Sequence, residues 1–268
     1  MERYIQANLQ HWNEVTPIHV RSRYYDVDGF KAGRHSLQPI ERVELGNVTG
    51  KSLLHLQCHF GLDTLSWARL GARATGVDFS GAAITQAQTL SYETGVPAAF
   101  ICSNLYDLPK VLDAQFDVVF TSYGVLSWLP DIRRWAEIVA RYVKPGGLFY
   151  IVEIHPVSQI FDDDALSGPP AVKWPYFYSP DPEEWQPIGS YADRTAKVSN
   201  PTYNWRHSLS DIVNAVANAG LRLEFLHEFP YTVYQQFPFM EQGSDGFWRL
   251  KGYENSIPLL FSIKATKV

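Results

Sequence analysis

Cysteine is almost missing from this 268-residue chain: Cys58 and Cys102 are the two thiols, with no Cys-x-x-Cys pair and no metal-ligand spacing. That scarcity excludes a disulfide scaffold and a zinc site, and the expectation is two reduced core thiols in a cytoplasmic protein with no bound metal. Lys and Arg form no run, and the net charge of −5 leaves no concentrated basic surface for nucleic acid or an anionic membrane. The first residues lack the apolar core of a secretion signal, and no later stretch is apolar for long enough to cross a bilayer. Internal repeats, low-complexity tracts and a Gly-Lys-Ser/Thr phosphate loop are also absent. What remains is a globular chain, 46% hydrophobic and 19% charged, long enough to bury a large core.

Between residues 50 and 155, short apolar runs alternate with segments of helical period. This pattern predicts successive βαβ units and hence a mostly parallel sheet with helices on both faces. Strands are expected at 52–56, 74–78, 98–102, 116–121 and 147–154. Helices are expected after Gly61, where Leu62, Leu65, Trp67, Ala68 and Leu70 make an apolar stripe, and at 82–92 and 132–142. Gly71 sits where a C-cap glycine belongs, and the Lys144-Pro145-Gly146-Gly147 turn closes the third helix. A further helix at 208–219, capped by Ser208 or Ser210, and strands at 221–229 and 258–265 complete a seven-stranded sheet.

Two stretches stand apart from this pattern. Residues 156–205 carry many prolines and aromatics, among them Trp174, Tyr176, Tyr178, Trp185, Tyr191 and Tyr203, with little periodicity, and read as an inserted cap on a core spanning 50–268. Residues 1–49, with Trp12, His19, Tyr24 and Tyr25, are too aromatic for a disordered tail and are expected to fold over the same mouth. The acids Asp162, Asp163 and Asp164 read as a solvated turn, since three consecutive side chains do not easily face one ion.

The most informative residues are Leu53-Leu54-His55-Leu56-Gln57-Cys58-His59-Phe60-Gly61, followed by Gly76-Val77-Asp78-Phe79-Ser80. A strand that turns into a helix N-terminus brings backbone N–H groups toward a ligand. Asp78, 17 positions after Gly61 at the end of the second strand, is placed to accept hydrogen bonds from two ribose hydroxyls. The alternative for Asp78 is a turn or helix-cap acid before Ser80.

These segments resemble the class I S-adenosylmethionine-dependent methyltransferases, together with Cys102-Ser103-Asn104-Leu105-Tyr106-Asp107, the fourth-strand run from Phe116 to Tyr123, and the Pro145-Gly146-Gly147 turn. The resemblance implies a Rossmann-like α/β fold and S-adenosyl-L-methionine as cofactor. It places Gln57, Cys58, His59 and Gly61 in the cofactor loop, with His55 at the family's acid. Asp78 falls on ribose and Phe79 on the adenine, with Ser80 following in the same segment, and Asn104 and the Leu105 N–H fall at the adenine amino group; Tyr123, after the fourth strand, is a candidate neighbour of the cofactor or the acceptor, with core packing as its alternative. Gln57 and His59 stand where the family has glycines, so either the loop backbone is altered, which is the expectation, or these side chains take part in the site.

Methyl transfer from a sulfonium is an in-line displacement in which positioning is the main requirement, and a base is needed only for an acceptor of high pKa. His155, at the carboxyl end of the fifth strand before Pro156, is the candidate catalytic residue; a structural hydrogen bond bracing the insertion is its alternative. The functional expectation is methyl transfer to an oxygen or nitrogen of a small-molecule acceptor. A non-catalytic adenosyl-ligand sensor and a protein methyltransferase are the competing readings. Nothing in the sequence fixes the acceptor or the oligomeric state.

Overall fold

The computed structural model describes residues 1–162 and 170–268. Its centre is a seven-stranded sheet built from β1 (Ser52–Leu56), β2 (Arg73–Asp78), β3 (Ala99–Cys102), β4 (Phe116–Ser122), β5 (Val143–Ile154), β6 (Leu221–Phe229) and β7 (Leu260–Lys267). In space the order is β3-β2-β1-β4-β5-β7-β6, and only β7 runs antiparallel to its neighbours. Adjacent residues Leu53 and Leu54 of β1 are both fully buried. Leu53 packs with Trp67, Phe120 and Tyr150 on one face, and Leu54 with Val119, Trp135 and Phe149 on the other. Covering both faces is what makes the central strand read as a continuous apolar run.

The helices follow their stripes. α4 (Leu62–Arg69) and α5 (Gly81–Thr94) return the chain between parallel strands, with Ser80 capping α5 by accepting from Ala83 N at 3.1 Å. α6 (Ile132–Tyr142) buries Ile132, Trp135, Val139 and Tyr142, spaced three and four apart. α7 (Leu209–Asn218) begins at Ser208, whose hydroxyl and the Asp211 side chain form a reciprocal capping box. The strand order reverses between the parallel neighbours β1 and β4, and in open α/β sheets such a switch point, at the carboxyl ends of the strands, is where a ligand crevice lies.

Three expectations change. β5 begins at Val143 instead of 147, because the Pro145-Gly146-Gly147 turn is a bulge inside the strand: pairing jumps from Phe116↔Val143 to Val118↔Leu148. A side chain at Gly147 would put its Cβ 3.0 Å from the Asp117 and Lys144 carbonyl oxygens, so glycine is required there. Cys58 is buried, but Cys102, at the end of β3, is exposed and not a core thiol. Finally, residues 230–257, which show no element in the sequence pattern, form a second cover. In it the ribbon Met240–Gln242 with Trp248–Leu250 packs Phe237, Met240 and Leu250 against Phe161 and Leu259.

The N-terminal segment is ordered. α1 (Glu2–Arg21) continues through Pro17 and is followed by α2 (Val27–Lys31) and α3 (Pro39–Leu45). α1 ties the 156–205 stretch to the core: Asn8 exchanges two 2.8 Å bonds with the Tyr203 backbone, and Glu14 accepts from Ser199 N and Asn200 N. Within that stretch, Glu183–Trp185 pairs antiparallel with Thr202–Asn204. Asp163 and Asp164 of the proposed solvated turn lie outside the described residues, while Asp162 pairs with Lys173 at 2.9 Å. Among the described residues no helix is long and apolar enough to cross a membrane.

Candidate functional site

The crevice floor is the turn from β1 into α4. Gln57 and His59 stand where glycine would be expected, and the backbone keeps the left-handed conformation there: φ is +57° at Gln57, +50° at His59 and +81° at Gly61. The expectation of an altered loop is therefore corrected. The two side chains are held in a conformation that costs an L-residue about 1–2 kcal/mol, and both make long-range bonds that offset it. Gln57 Nε2 donates to Val125 O at 3.0 Å, tying this loop to the one after β4, while its Oε1 is buried without a partner. His59 Nε2 lies 2.8 Å from His19 Nδ1 of α1. At Gly61 a Cβ would fall 2.7 Å from Phe100 and 2.8 Å from Ala87, so of the three left-handed positions in this loop this one has no room for a side chain.

Asp78 closes the crevice beside this loop. Its Oδ2 accepts from His59 N and its Oδ1 from Ser80 N, both at 2.9 Å. Each oxygen retains a second lone pair for a ligand hydroxyl. Burial pushes the carboxyl up to about 6, although three backbone N–H groups pull the other way. Ser80 is occupied structurally, since besides capping α5 it donates to Asn13 Oδ1 at 2.8 Å. Phe79 is half-buried next to it, and across β3 Asn104 caps a short turn by accepting from Tyr106 N at 2.9 Å, with Leu105 buried behind. Cys58 points its thiol toward the sheet, 2.8 Å from where a Gly76 Cβ would stand, and burial raises its pKa. A thiol kept in that form is an inert packing group.

Two expected site residues turn elsewhere. Tyr123, at φ +37° after β4, directs its hydroxyl away to Glu41 of α3, donating at 2.8 Å. His155 was expected to present its imidazole to the crevice, and the structure corrects this. Its Nδ1 accepts from Val157 N at 3.1 Å, its Nε2 lies 2.8 Å from Glu228 Oε1 in a bent geometry, and its ring meets Phe261 edge-on. The chain turns directly after His155, with Ser158 N donating to His155 O at 2.9 Å, and the ring braces β6 and β7.

The roof comes from α1 and the 156–205 stretch. Trp12 stands edge-on to His59 and Trp128 at 5.1 Å each, and Tyr25 and Tyr191 share a hydroxyl–hydroxyl contact beside His19. His19 Nε2 reaches Ser190 Oγ at 2.6 Å. The aromatics of the cap thus divide: Tyr191 joins the site, whereas Tyr176 and Tyr178 hydrogen-bond Leu209 and Pro130, and Trp174 packs on Trp185. The sequence pattern points to His19 only as part of the N-terminal segment expected over the mouth, and it does not reveal Asn13, Ser190 or Glu153. Glu153 is 2% exposed and accepts from the backbone N–H groups of Gly124, Val125 and Leu126, which holds the loop after β4 in place. A buried acid in a strand is the one available signal for it.

Under α3 lies a second buried acid. Glu41 is held up to about 8 by burial first and by the nearby Asp63 charge second. Because the folded value lies above the unfolded one, the folded state binds the extra proton, and stability falls as pH rises from about 4.5 to 8. Glu41→Gln is expected to flatten that slope and to gain on the order of 2 kcal/mol at pH 8, measured by urea unfolding at pH 5 and pH 8. An unchanged slope would show that Glu41 titrates normally.

Comparison with known proteins adds the following. Residues 54–151 match the model of a methyltransferase-domain family. A ubiquinone biosynthesis O-methyltransferase of Pseudoalteromonas translucida is 33% identical over 131 residues, 47% of this chain and 55% of the relative. Another, from Alkalilimnicola ehrlichii, is 32% identical over 147 residues, 52% of this chain and 59% of the relative. The chain thus spans little more than half the length of the curated relatives it matches. An S-adenosylmethionine-dependent methyltransferase of Mesorhizobium loti superposes at TM-score 0.60 with 19% identity, covering 90% of this chain and 99% of that one. The glycopeptide N-methyltransferase MtfA bound to S-adenosylmethionine superposes at 0.53 with 13% identity, covering 85% and 90%. These structural likenesses establish the fold.

Proposed function

We propose methyl transfer from S-adenosyl-L-methionine to an oxygen or nitrogen atom of a small-molecule acceptor for this chain, whose residues 54–151 match the model of a methyltransferase-domain family. One observation carries the reading: Asp78 ends β2 with both oxygens organised by backbone N–H groups of the loop and of α5, beside a β1 turn that keeps three left-handed residues. The residues fit the cofactor. Asp78 has a free lone pair on each oxygen for the ribose hydroxyls, and Gln57 Oε1 is a buried acceptor lacking a donor, suited to the α-ammonium. Phe79, Asn104 and Leu105 flank the adenine side, and the Cys58–Gly61 backbone underlies the chain between. When bound, the cofactor supplies an electrophilic methyl on a sulfonium.

The protein's own contribution is orientation and exclusion of water. Trp12, Tyr25, Tyr191 and Trp128 pack around His19 and His59 above the loop, and such an aromatic roof suits a planar or apolar acceptor held for in-line attack. The names of the relatives support an oxygen acceptor. Residues 1–49 and 156–205 serve in this reading as the cap that selects it. Incubating the full chain with the cofactor and a panel of phenols and amines should yield S-adenosylhomocysteine with at least one acceptor, and the Asp78→Ala protein should yield none. Equal product from both proteins would reject the assignment.

His155 enters this proposal as a brace. His155→Ala is expected to lower stability by about 1–3 kcal/mol while leaving S-adenosylhomocysteine affinity within about twofold. Melting and calorimetry on the same preparation separate the two, and a large affinity loss at unchanged stability would restore the catalytic role.

A further inference from the structure

The hydrogen-bond chain Ser190–His19–His59 runs from the cap through α1 to the cofactor loop, with steps of 2.6 Å and 2.8 Å. Its direction follows from counting donors. Ser190 is 9% exposed, and its oxygen already accepts from Ala192 N at 3.3 Å. The hydroxyl has one hydrogen, and the acceptor placed for it among the described residues is His19 Nε2. A neutral imidazole that accepts at Nε2 carries its hydrogen on Nδ1, so His19 donates to His59 Nε2. His59 must then carry its own hydrogen on Nδ1. The reverse direction would leave a buried Ser190 hydroxyl hydrogen without an acceptor.

Both rings are neutral, because burial holds His19 at about 3 and lowers His59 well below the usual histidine range. The titratable groups around them are His11 on α1, Tyr24 and Tyr25 before α2, Tyr191 in the cap and Asp78, which receives the His59 backbone N–H. None of these is a cation at neutral pH that would compete for an anion. His59 Nδ1 has no hydrogen-bond partner among the described residues, and it is the ring nitrogen nearer its own backbone, hence nearer the loop.

We propose that His59 Nδ1–H is a ligand-binding donor for a carboxylate or another anionic oxygen at the crevice mouth, with His19 and Ser190 as positioning residues that fix this tautomer. The proposal rests on the methyl-transfer reading, which supplies two sources of such an oxygen: the methionyl carboxylate of the cofactor or an acidic oxygen of the acceptor. It also explains why a histidine is kept at a position whose backbone favours glycine. The side chain is needed there, and α1 and the cap hold its ring.

The test is nitrogen-15 NMR of histidine-labelled full-length protein, read together with calorimetry. In the wild type, His59 should show a protonated Nδ1 and an unprotonated Nε2. Ser190→Ala should mix the tautomers, and Ser190→Thr, which restores a hydroxyl, should recover them. If the cofactor carboxylate is the partner, Ser190→Ala weakens S-adenosylhomocysteine by roughly tenfold and leaves 5′-methylthioadenosine, which lacks the carboxylate, unchanged. If the acceptor supplies the oxygen, both nucleosides are unaffected and benzoate binding to the S-adenosylhomocysteine-loaded protein weakens instead. A His59 proton on Nε2, or tautomers indifferent to Ser190→Ala, overturns the proposal, as does a tautomer change with no effect on any of the three probes. Failure of the wild type to bind S-adenosylhomocysteine would instead sink the methyl-transfer reading, and the NMR result stands apart from it.

Discussion

Asp78→Ala is expected to weaken S-adenosylhomocysteine binding by about 100-fold or more. The carboxylate offers one lone pair on each oxygen to the ribose hydroxyls, and hydrogen bonds to a charged acceptor contribute about 1.5–3 kcal/mol each, so losing two corresponds to at least about two decades in affinity. Alanine also strands the N–H groups of His59 and Ser80 that now bond the carboxylate at 2.9 Å. The cofactor loop and the start of α5 therefore lose their common anchor. Asp78→Asn should fall between the two, since its amide oxygen still accepts on one side while its NH2 faces a backbone donor. The burial that holds Asp78 up to about 6 adds a second signature. The ionised form is the acceptor, so affinity should decline as pH drops through about 6, and this decline should vanish in Asp78→Ala. Calorimetry between pH 5 and pH 8 checks both, and a variant binding within threefold of wild type would remove Asp78 from the site.

Glu153→Ala is expected to cost about 3–5 kcal/mol of stability. This strand residue accepts from the backbone N–H groups of Gly124, of Val125 at 2.8 Å and of Leu126 at 3.1 Å, in a place water does not reach. Each buried donor left unsatisfied costs about 1–3 kcal/mol. The loop it holds also receives Gln57 at Val125 O and carries Trp128, which packs on Trp12 and His11. Loss of Glu153 should therefore loosen the crevice wall as well as the fold. Glu153→Gln should lose roughly half as much, because one side of its amide accepts while the other confronts N–H groups. Thermal unfolding of the two variants beside wild type measures the difference. A loss under 1 kcal/mol for alanine would mean that the loop holds itself.

The sheet was legible in the sequence because each of its strands is a short apolar run separated by helical stripes with clear ends, such as the start at Ser208 and the stop at Gly71. The largest boundary error falls where a turn signal sits inside an element: Pro145-Gly146 bulges β5 without ending it. The positions of Gly61, Asp78 and Asn104, which are proposed for the cofactor side, were legible for a similar reason, since each ends a strand or opens a helical turn within the β1–β3 unit. The roof was not. Asn13 reaches Ser80, and His19 reaches His59 and Ser190, across long separations in sequence. No local period encodes which buried polar groups will meet, and for the same reason the ring of His155 was misplaced: Pro156 sets the backbone exit, whereas Glu228 and Phe261 decide where the imidazole turns.

The role of Gln57 and His59 is now specific. Both keep the backbone a glycine would adopt, and both use their side chains to join the loop to its walls, Gln57 to the turn after β4 and His59 to α1.

Titrating S-adenosylhomocysteine into the 268-residue chain in a calorimeter tests cofactor binding most directly. One site per chain is expected, with S-adenosylmethionine displacing the bound ligand and Asp78→Ala abolishing the heat at the same concentrations. Absence of binding by the folded wild-type chain would contradict it.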